Sequence, residues 1–186
     1  FEYLDRAAEK FPRHSALVFN NWKMSYAKLR KTTETMAANL RAGGLNPGDR
    51  VAIMLPNIPQ TIMSYWAVLK AGGTVVMTNP LYMEKELIHH FNDSRAKFLV
   101  TLNLLWPKIQ KLLPQFSLNK IFITHISDCL RFPLNFIYDL KMKKDKQSPS
   151  IPYDQKEVLP WKTLLKKGEI FIKYMPNPRQ EIAALQ

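Results

Sequence analysis

The sequence is poor in cysteine and has no long apolar run. Cys129 is the one cysteine among 186 residues, so the chain cannot form an internal disulfide. This usage fits a reducing compartment, and we expect a cytoplasmic location. No uninterrupted apolar run approaches the roughly 20 residues that span a bilayer. The chain starts at Phe1 without a basic-apolar-small leader, which predicts a fragment or processed product that is not secreted.

The glycine patterns of phosphate-binding loops are also missing. The chain has six glycines, and they form neither G-x-G-x-x-G nor a Walker sequence. The adjacent pair Gly72-Gly73 follows a helix-like run and precedes a β-branched run. A phosphate loop has the opposite order, because free N–H groups and the positive end of a helix must face the anion. The pair therefore predicts a helix C-cap and a turn into a strand.

Acidic residues are too few to balance the basic ones. The chain has 27 Lys and Arg against 15 Asp and Glu, a net charge of +12. The excess lies mostly in the second half, in "KMKKDK" (141–146) and around Lys166. Such a bias suits nucleic acid, an anionic membrane surface, an acidic substrate or a merely solvated face. Aromatic residues are not interleaved with these cations, so we expect no nucleic-acid partner; a non-enzymatic basic binding module stays an alternative.

Apolar runs and helical patterns alternate along the first 124 residues. Two short apolar runs around Asn20-Asn21 predict a β-hairpin. The runs "RVAIML", "TVVMT", "KFLVTL" and "KIFIT" then read as strands, with helical patterns between them. Strands that alternate with helices predict an α/β fold, in which a largely parallel sheet is flanked by helices.

Several local signals place the ends and faces of these helices. Ser25 is predicted to cap the first helix after the hairpin. Asn57 is predicted to cap the next one, with Gln60 as its reciprocal partner. The apolar stripe of that second helix is predicted to consist of Ile62, Trp66 and Leu69.

The regular alternation fades after about Thr124. A short helix is predicted within "RFPLNFIYDLKMKK", and residues 142–157 read as a flexible, basic, Pro-containing linker inside a single unit, 1–186. The helix has an apolar face next to cations. That face either packs on the domain or meets anionic lipid at the inner face of a membrane. The second interpretation predicts a membrane-surface contact formed by Phe132, Phe136, Lys141, Lys143 and Lys144, with Ile137 and Leu140 completing the apolar face.

Three stretches in this order carry a family resemblance: "MSYAKL" (24–29), "GLNPGDRVAIMLPN" (44–57) and "LKAGGTVVMTNPLY" (69–82). The chain resembles the N-terminal part of the adenylate-forming acyl-CoA ligases. The continuation "NPLYMEKELIHHFNDSRAKFLVT" (79–101) is most similar to the long-chain fatty acid–CoA ligase branch, as is the final "EIAALQ". Lys28 and Arg95 depart from the family pattern, in which Glu is common at the first position and Gly at the second.

The resemblance implies an enzyme that couples a fatty acid to coenzyme A through an acyl-adenylate, with ATP and Mg²⁺. In that family, the phosphate loop and the other catalytic groups lie mostly after the region that corresponds to this sequence, whose last residue is Gln186. The resemblance therefore assigns no catalytic, cofactor-binding or metal-binding residue here, and we expect the chain alone to bind none of these cofactors and to be inactive. An aryl-CoA ligase or a peptide-synthetase adenylation domain is the alternative within the superfamily.

The resemblance also implies that the unit is an incomplete N-terminal subdomain of a larger enzyme. Its main partner is then the rest of the same chain, besides the fatty acid substrate. A sheet cut from a larger domain leaves apolar surface uncovered, so we expect homodimerisation or other self-association of the isolated chain.

Overall fold

The computed structural model describes residues 2–145, 147–153, 155–168, 170–175 and 182–185. The helices of this part are α1 (Glu2–Lys10), α2 (Tyr26–Ala42), α3 (Pro59–Lys70), α4 (Glu84–Ser94), α5 (Trp106–Leu112) and α6 (Leu134–Lys144). The strands are β1 (Ser15–Phe19), β2 (Trp22–Ser25), β3 (Arg50–Met54), β4 (Thr74–Met77), β5 (Phe98–Leu102), β6 (Lys120–Thr124), β7 (Val158–Pro160) and β8 (Ala184–Leu185). Short 3₁₀-helices cover Asn103–Leu105, Leu113–Gln115, Ile126–Cys129 and Trp161–Leu165.

Six strands form one sheet in the order β7-β6-β5-β3-β4-β8, and each neighbouring pair is parallel. Strands β1 and β2 form a separate antiparallel hairpin that turns at Asn20, where φ is +50°. The predicted α/β architecture is therefore confirmed, including the hairpin. Strand β3 has β4 on one side and β5 on the other, so the winding of the chain reverses at β3.

The central strands are buried on both faces, as their unbroken apolar runs predict. Val51 and Ile53 of β3 join a core that lies under α2, α3 and the hairpin. Ala52 and Met54 point to the opposite face and join a second core with residues of α4 and α5. The twofold alternation of side chains along a strand separates these two cores. The sheet is thus the middle layer of three.

The glycine pair forms a turn at the amino edge of the sheet. Gly72 has φ +83°, and the N–H of Gly73 donates to the carbonyl of Val68 at 2.9 Å, which closes the end of α3. The N–H of Gly48 donates to the carbonyl of Gly72 at 2.8 Å. The prediction of a structural turn is confirmed. The turn sets the register between β3 and β4, and it presents carbonyls where a phosphate would need donors.

Replacing Gly72 with alanine is expected to destabilise the fold by about 2 kcal/mol, because a Cβ would be held at positive φ and would also meet another side chain. It would lie 2.9 Å from Cδ1 of the half-buried Tyr174. Gly48→Ala is the matched control, since φ there is +80° and no atom lies within 4 Å of the added Cβ. The control is expected to cost about 1 kcal/mol in urea unfolding. Equal costs for the two variants would contradict the contact with Tyr174.

Arg95 adopts a left-handed conformation, which accounts for the glycine that the family resemblance leads us to expect at this position. Arg95 ends α4 with φ +50° and ψ +39°. Glycine adopts this region freely, whereas a residue with a Cβ is strained there. The other departure, Lys28, leaves the cap of α2 in place, because the Lys28 N–H donates to the Ser25 hydroxyl at 3.3 Å. The Ser25 cap is confirmed.

Of two local predictions about α3, the cap is wrong and the apolar stripe is correct only in part. The helix begins at Pro59 after Ile58, with no side-chain cap from Asn57. In the predicted apolar stripe, Trp66 and Leu69 pack against the core, whereas Ile62 is 41% exposed. The cause is that α3 packs both on α2 and on the sheet, so burial does not follow one simple stripe. The buried residues of α3 are Pro59, Gln60, Thr61, Met63, Ser64, Ala67, Val68 and Lys70.

Helix α6 has its apolar face exposed, so the interpretation that this face packs on the domain is wrong within the described part of the chain. None of its residues is buried, and Phe136 is 57% exposed. The helix lies beside the 3₁₀-helix Ile126–Cys129. It extends to Lys144, so the first three residues of the proposed linker are helical, while the flexibility of 142–157 stays a prediction.

Candidate functional site

A polar cavity lies at the carboxyl edge of the sheet, beyond the ends of β5 and β6. In open parallel sheets, ligands bind outside the carboxyl ends of the strands. The cavity has a volume of about 350 Å³, and α6 forms one of its walls. We call it the carboxyl-edge cavity. Residues that line it include Asn103, His125, Asp128, Asn135, Tyr138, Asp139 and Lys162.

Asp128 organises the floor of this cavity. Its Oδ2 accepts from the Thr124 hydroxyl and from the His125 N–H, both at 2.9 Å. Its Oδ1 lies 2.9 Å from Nζ of Lys162. The carboxylate therefore holds the end of β6, the 3₁₀-helix that carries Asp128, and the segment after β7 in one arrangement. Its engaged oxygens make it a positioning group rather than a free base.

Gln60 extends the same network into the core. It is fully buried at the start of α3, and its Nε2 donates to Oγ1 of Thr124 at 3.2 Å and to the His125 carbonyl at 2.9 Å. Its Oε1 is buried and has no hydrogen-bond partner among the described residues. The sequence suggested a helix cap for Gln60. A buried glutamine that bonds across 64 positions gives no local signal.

Two titratable side chains beside Asp128 have raised pKa values. Burial and the Asp128 carboxylate raise the pKa of the Cys129 thiol to about 12, although Lys162 opposes this. The thiol therefore stays protonated at neutral pH and is a poor nucleophile. Burial, with Asp128 as a second cause, also raises the pKa of Tyr153. Within the described ranges, no group of three or more His, Cys, Asp or Glu side chains could hold a metal ion.

The predicted membrane-surface residues lie in the same region, and one of them, Lys143, lines the cavity itself. Phe132 precedes α6 and is 79% exposed. Phe136 follows within the helix, and Lys141, Lys143 and Lys144 occupy its last turn, all exposed. Among the described residues no helix combines the length and apolarity needed to cross a bilayer.

Comparison with known proteins decides the family. The model of the AMP-binding enzyme family matches residues 4–171. The chain belongs to this family. It is 38% identical to the long-chain-fatty-acid–CoA ligase of Bacillus subtilis strain 168, over 98% of this chain and 33% of that protein. A long-chain-fatty-acid–CoA ligase of Yersinia pestis is 30% identical over 90% of this chain and 30% of its own length. The chain thus spans about a third of these relatives.

Solved structures of AMP-binding ligases share the fold. Coronafacic acid ligase from Pectobacterium brasiliense superposes with a TM-score of 0.78 at 17% identity, over 98% of this chain and 32% of that one. A long-chain-fatty-acid-CoA ligase from Archaeoglobus fulgidus gives 0.73 at 20% identity, over 98% and 33% of the two chains. The recognised family and its sheet architecture are therefore both confirmed, whereas the absence of catalytic residues from this chain stays a prediction.

Proposed function

We propose that this chain is the N-terminal part of an ATP-dependent, AMP-forming fatty acid–CoA ligase of the cytoplasm. The observation that carries the proposal is the 38% identity with the Bacillus subtilis long-chain-fatty-acid–CoA ligase, which extends over 98% of the chain. In the whole enzyme, ATP would activate the fatty acid carboxylate as an acyl-adenylate, and the thiol of coenzyme A would then displace AMP.

The described residues fit a supporting role in this reaction. They offer no cluster of metal-ligating side chains for Mg²⁺, and the turn at Gly72 presents carbonyls rather than anion-binding N–H groups. As the family resemblance implies, we propose that ATP, Mg²⁺ and coenzyme A bind to parts of the enzyme outside this chain. The chain would supply a rigid three-layer frame against which those parts pack.

Other branches of the superfamily are the second candidate. Tyrocidine synthase 2 of Brevibacillus parabrevis is 35% identical over 100 residues, which cover 54% of this chain and 3% of that protein. This match supports an adenylation domain as the alternative. The acid substrate separates the candidates, because a fatty acid ligase should prefer long alkyl chains to aryl or amino acids.

A chimera tests the proposal directly. The 186 residues would replace the aligned third of the Bacillus subtilis ligase, and acyl-CoA would be measured with ATP, Mg²⁺, coenzyme A and a panel of fatty, aryl and amino acids. We expect acyl-CoA from long-chain fatty acids with the chimera and none with the chain alone. The unmodified Bacillus enzyme is the control. A folded chimera without activity would contradict the proposal, as would acyl-CoA formation by the chain alone.

A further inference from the structure

Helix α6 is oriented with its polar side toward the protein and its apolar side toward solvent. Lys143 lines the carboxyl-edge cavity together with four other residues of α6, which are Asn135, Tyr138, Asp139 and Met142. At 100° per residue, these positions share one side of the helix. The opposite side carries Phe136, Ile137 and Leu140, which are 57%, 53% and 51% exposed. A surface helix of a globular protein ordinarily buries its apolar side.

The exposed side of α6 forms an apolar ridge with the preceding loop. We define the α6 ridge as Phe132, Phe136, Ile137 and Leu140. All four side chains are more than half exposed. Contiguous exposed apolar surface of this kind marks an interaction site in soluble proteins. The ridge is convex, because it runs along the outside of a single helix, and so it suits a flat, deformable partner better than a groove.

Cations surround the ridge at its carboxyl end. Lys141, Lys143 and Lys144 occupy the last turn of α6. Within the described residues, no ion pair engages any of them. The two acids of the helix and its cap do not interrupt the ridge, because Asp139 lies on the cavity side and Asp145 follows the helix. The exposed side therefore combines apolar side chains with unneutralised positive charge.

We propose that the α6 ridge, with Lys141 and Lys144 beside it, forms a peripheral membrane-binding surface for anionic lipid. The apolar side chains would enter the boundary between headgroups and acyl chains, and the lysines would meet the negative headgroups. A second copy of the chain is a weaker occupant for two reasons. Like charges would be brought together, and four side chains on one short helix offer less area than the roughly 1,200–2,000 Å² of a stable interface.

Vesicle co-sedimentation tests this surface. The chain is mixed with phosphatidylcholine vesicles that contain or lack about one third phosphatidylglycerol. Attraction to an anionic surface falls with salt, since charges beyond the Debye length of about 10 Å at 0.1 M are screened. We expect binding only to the anionic vesicles, and weaker binding as salt rises. No binding to them, or equal binding to the neutral vesicles, would overturn the proposal.

Two pairs of substitutions separate the contribution of the lysines to lipid binding from that of the apolar side chains. Lys141→Glu with Lys144→Glu reverses the charge beside the ridge without altering the cavity lining. Phe136→Ser with Leu140→Ser removes half of the ridge. Each pair is expected to weaken vesicle binding about tenfold or more, with circular dichroism showing an intact fold. The matched control is Lys23→Glu with Lys85→Glu, which changes the net charge equally at exposed positions elsewhere. A loss of binding as large in the control, or no loss in either α6 pair, would overturn the proposal.

Two further measurements test whether the rest of the enzyme or a second copy of the chain covers the α6 ridge instead of lipid. The Bacillus chimera is tested with the same vesicles: its failure to bind, where the isolated chain binds, would show that the rest of the enzyme covers α6. Light scattering without lipid tests for dimers. The second contrary result would be a dimer that the Phe136→Ser and Leu140→Ser pair abolishes. Either result would overturn the lipid assignment. Because neither lipid binding nor its loss requires ligase activity, this test is independent of the proposed reaction.

Discussion

Trp161→Ala is expected to lower the free energy of unfolding by about 3–5 kcal/mol, the largest effect anticipated for a single side chain here. Trp161 is 1% exposed and belongs to the core beneath α2 and α3. Its indole N–H donates to the Ser64 hydroxyl at 3.0 Å. The substitution removes a large apolar side chain, leaves a cavity and unpairs a buried hydroxyl. Against a total stability of about 5–15 kcal/mol, such a loss would unfold a substantial fraction of the protein.

Three further variants resolve this effect in urea unfolding. Trp161→Phe keeps an aromatic ring but loses the hydrogen bond, so it should cost less than the alanine variant. Ser64→Ala in the Trp161→Phe background should add little, because the bond is already gone. Trp22→Ala makes the same change at a half-buried position and should cost less. A loss below about 1 kcal/mol for Trp161→Ala would contradict the placement of this segment in the core.

Asp5→Ala is expected to cost about 3 kcal/mol, because it removes the nearest partner of a buried ammonium group. Lys70 is 1% exposed near the end of α3, and its Nζ lies 2.5 Å from Oδ1 of Asp5. Glu34 of α2 is a more distant partner at 3.7 Å. The pair joins α1 to the body of the domain. The stabilisation that this ion pair provides is reduced by solvent screening, because the side chain of Asp5 is 19% exposed.

A double-mutant cycle isolates the interaction between Asp5 and Lys70. Lys70→Met keeps the length of the side chain and removes its charge. The double variant is expected to cost clearly less than the two single losses together, because both single substitutions remove the same interaction. The exposed pair of Lys111 and Glu84, at 2.8 Å, is the matched control. Lys111→Ala should change stability by about 1 kcal/mol or less. Additive losses at Asp5 and Lys70 would contradict the pairing.

The strands could be predicted from the sequence because their signal is local. Arg50–Met54 and Phe98–Leu102 are short apolar runs, and a strand buried on both faces requires such a run wherever it lies in the sheet. The turn at Gly72 could also be predicted from the sequence, because the order of helix, glycine and strand determines which backbone groups are exposed. These features depend on neighbours within a few residues.

Contacts between distant segments could not be predicted in the same way. Helix α1 received no prediction, although Leu4 and Ala8 are buried there, and its ion pair reaches 65 positions along the chain. Strand β7 follows a polar stretch and has three residues, so its pairing with β6 carried no periodic signal. In both cases the stabilising partner is remote in sequence.

The candidate cavity was missed for the same reason. Gln60 resembled the second half of a capping box, but its amide bonds the end of β6 instead. Two partners of Asp128 lie within four residues of it, but the third, Lys162, comes from the segment after β7. A polar network assembled from separate strand ends is visible only when the sheet order is known.

By itself the sequence determined the family, the alternation of strands and helices, and the absence of a phosphate loop at Gly72, because each depends on short ordered patterns. Only the tertiary structure decided which way α6 faces. Its sequence shows an apolar side and a cationic end, and that pattern is compatible with either burial or exposure. The polar cavity organised by Asp128 accepts the polar side of the helix, so Phe136 and Leu140 are left facing outward.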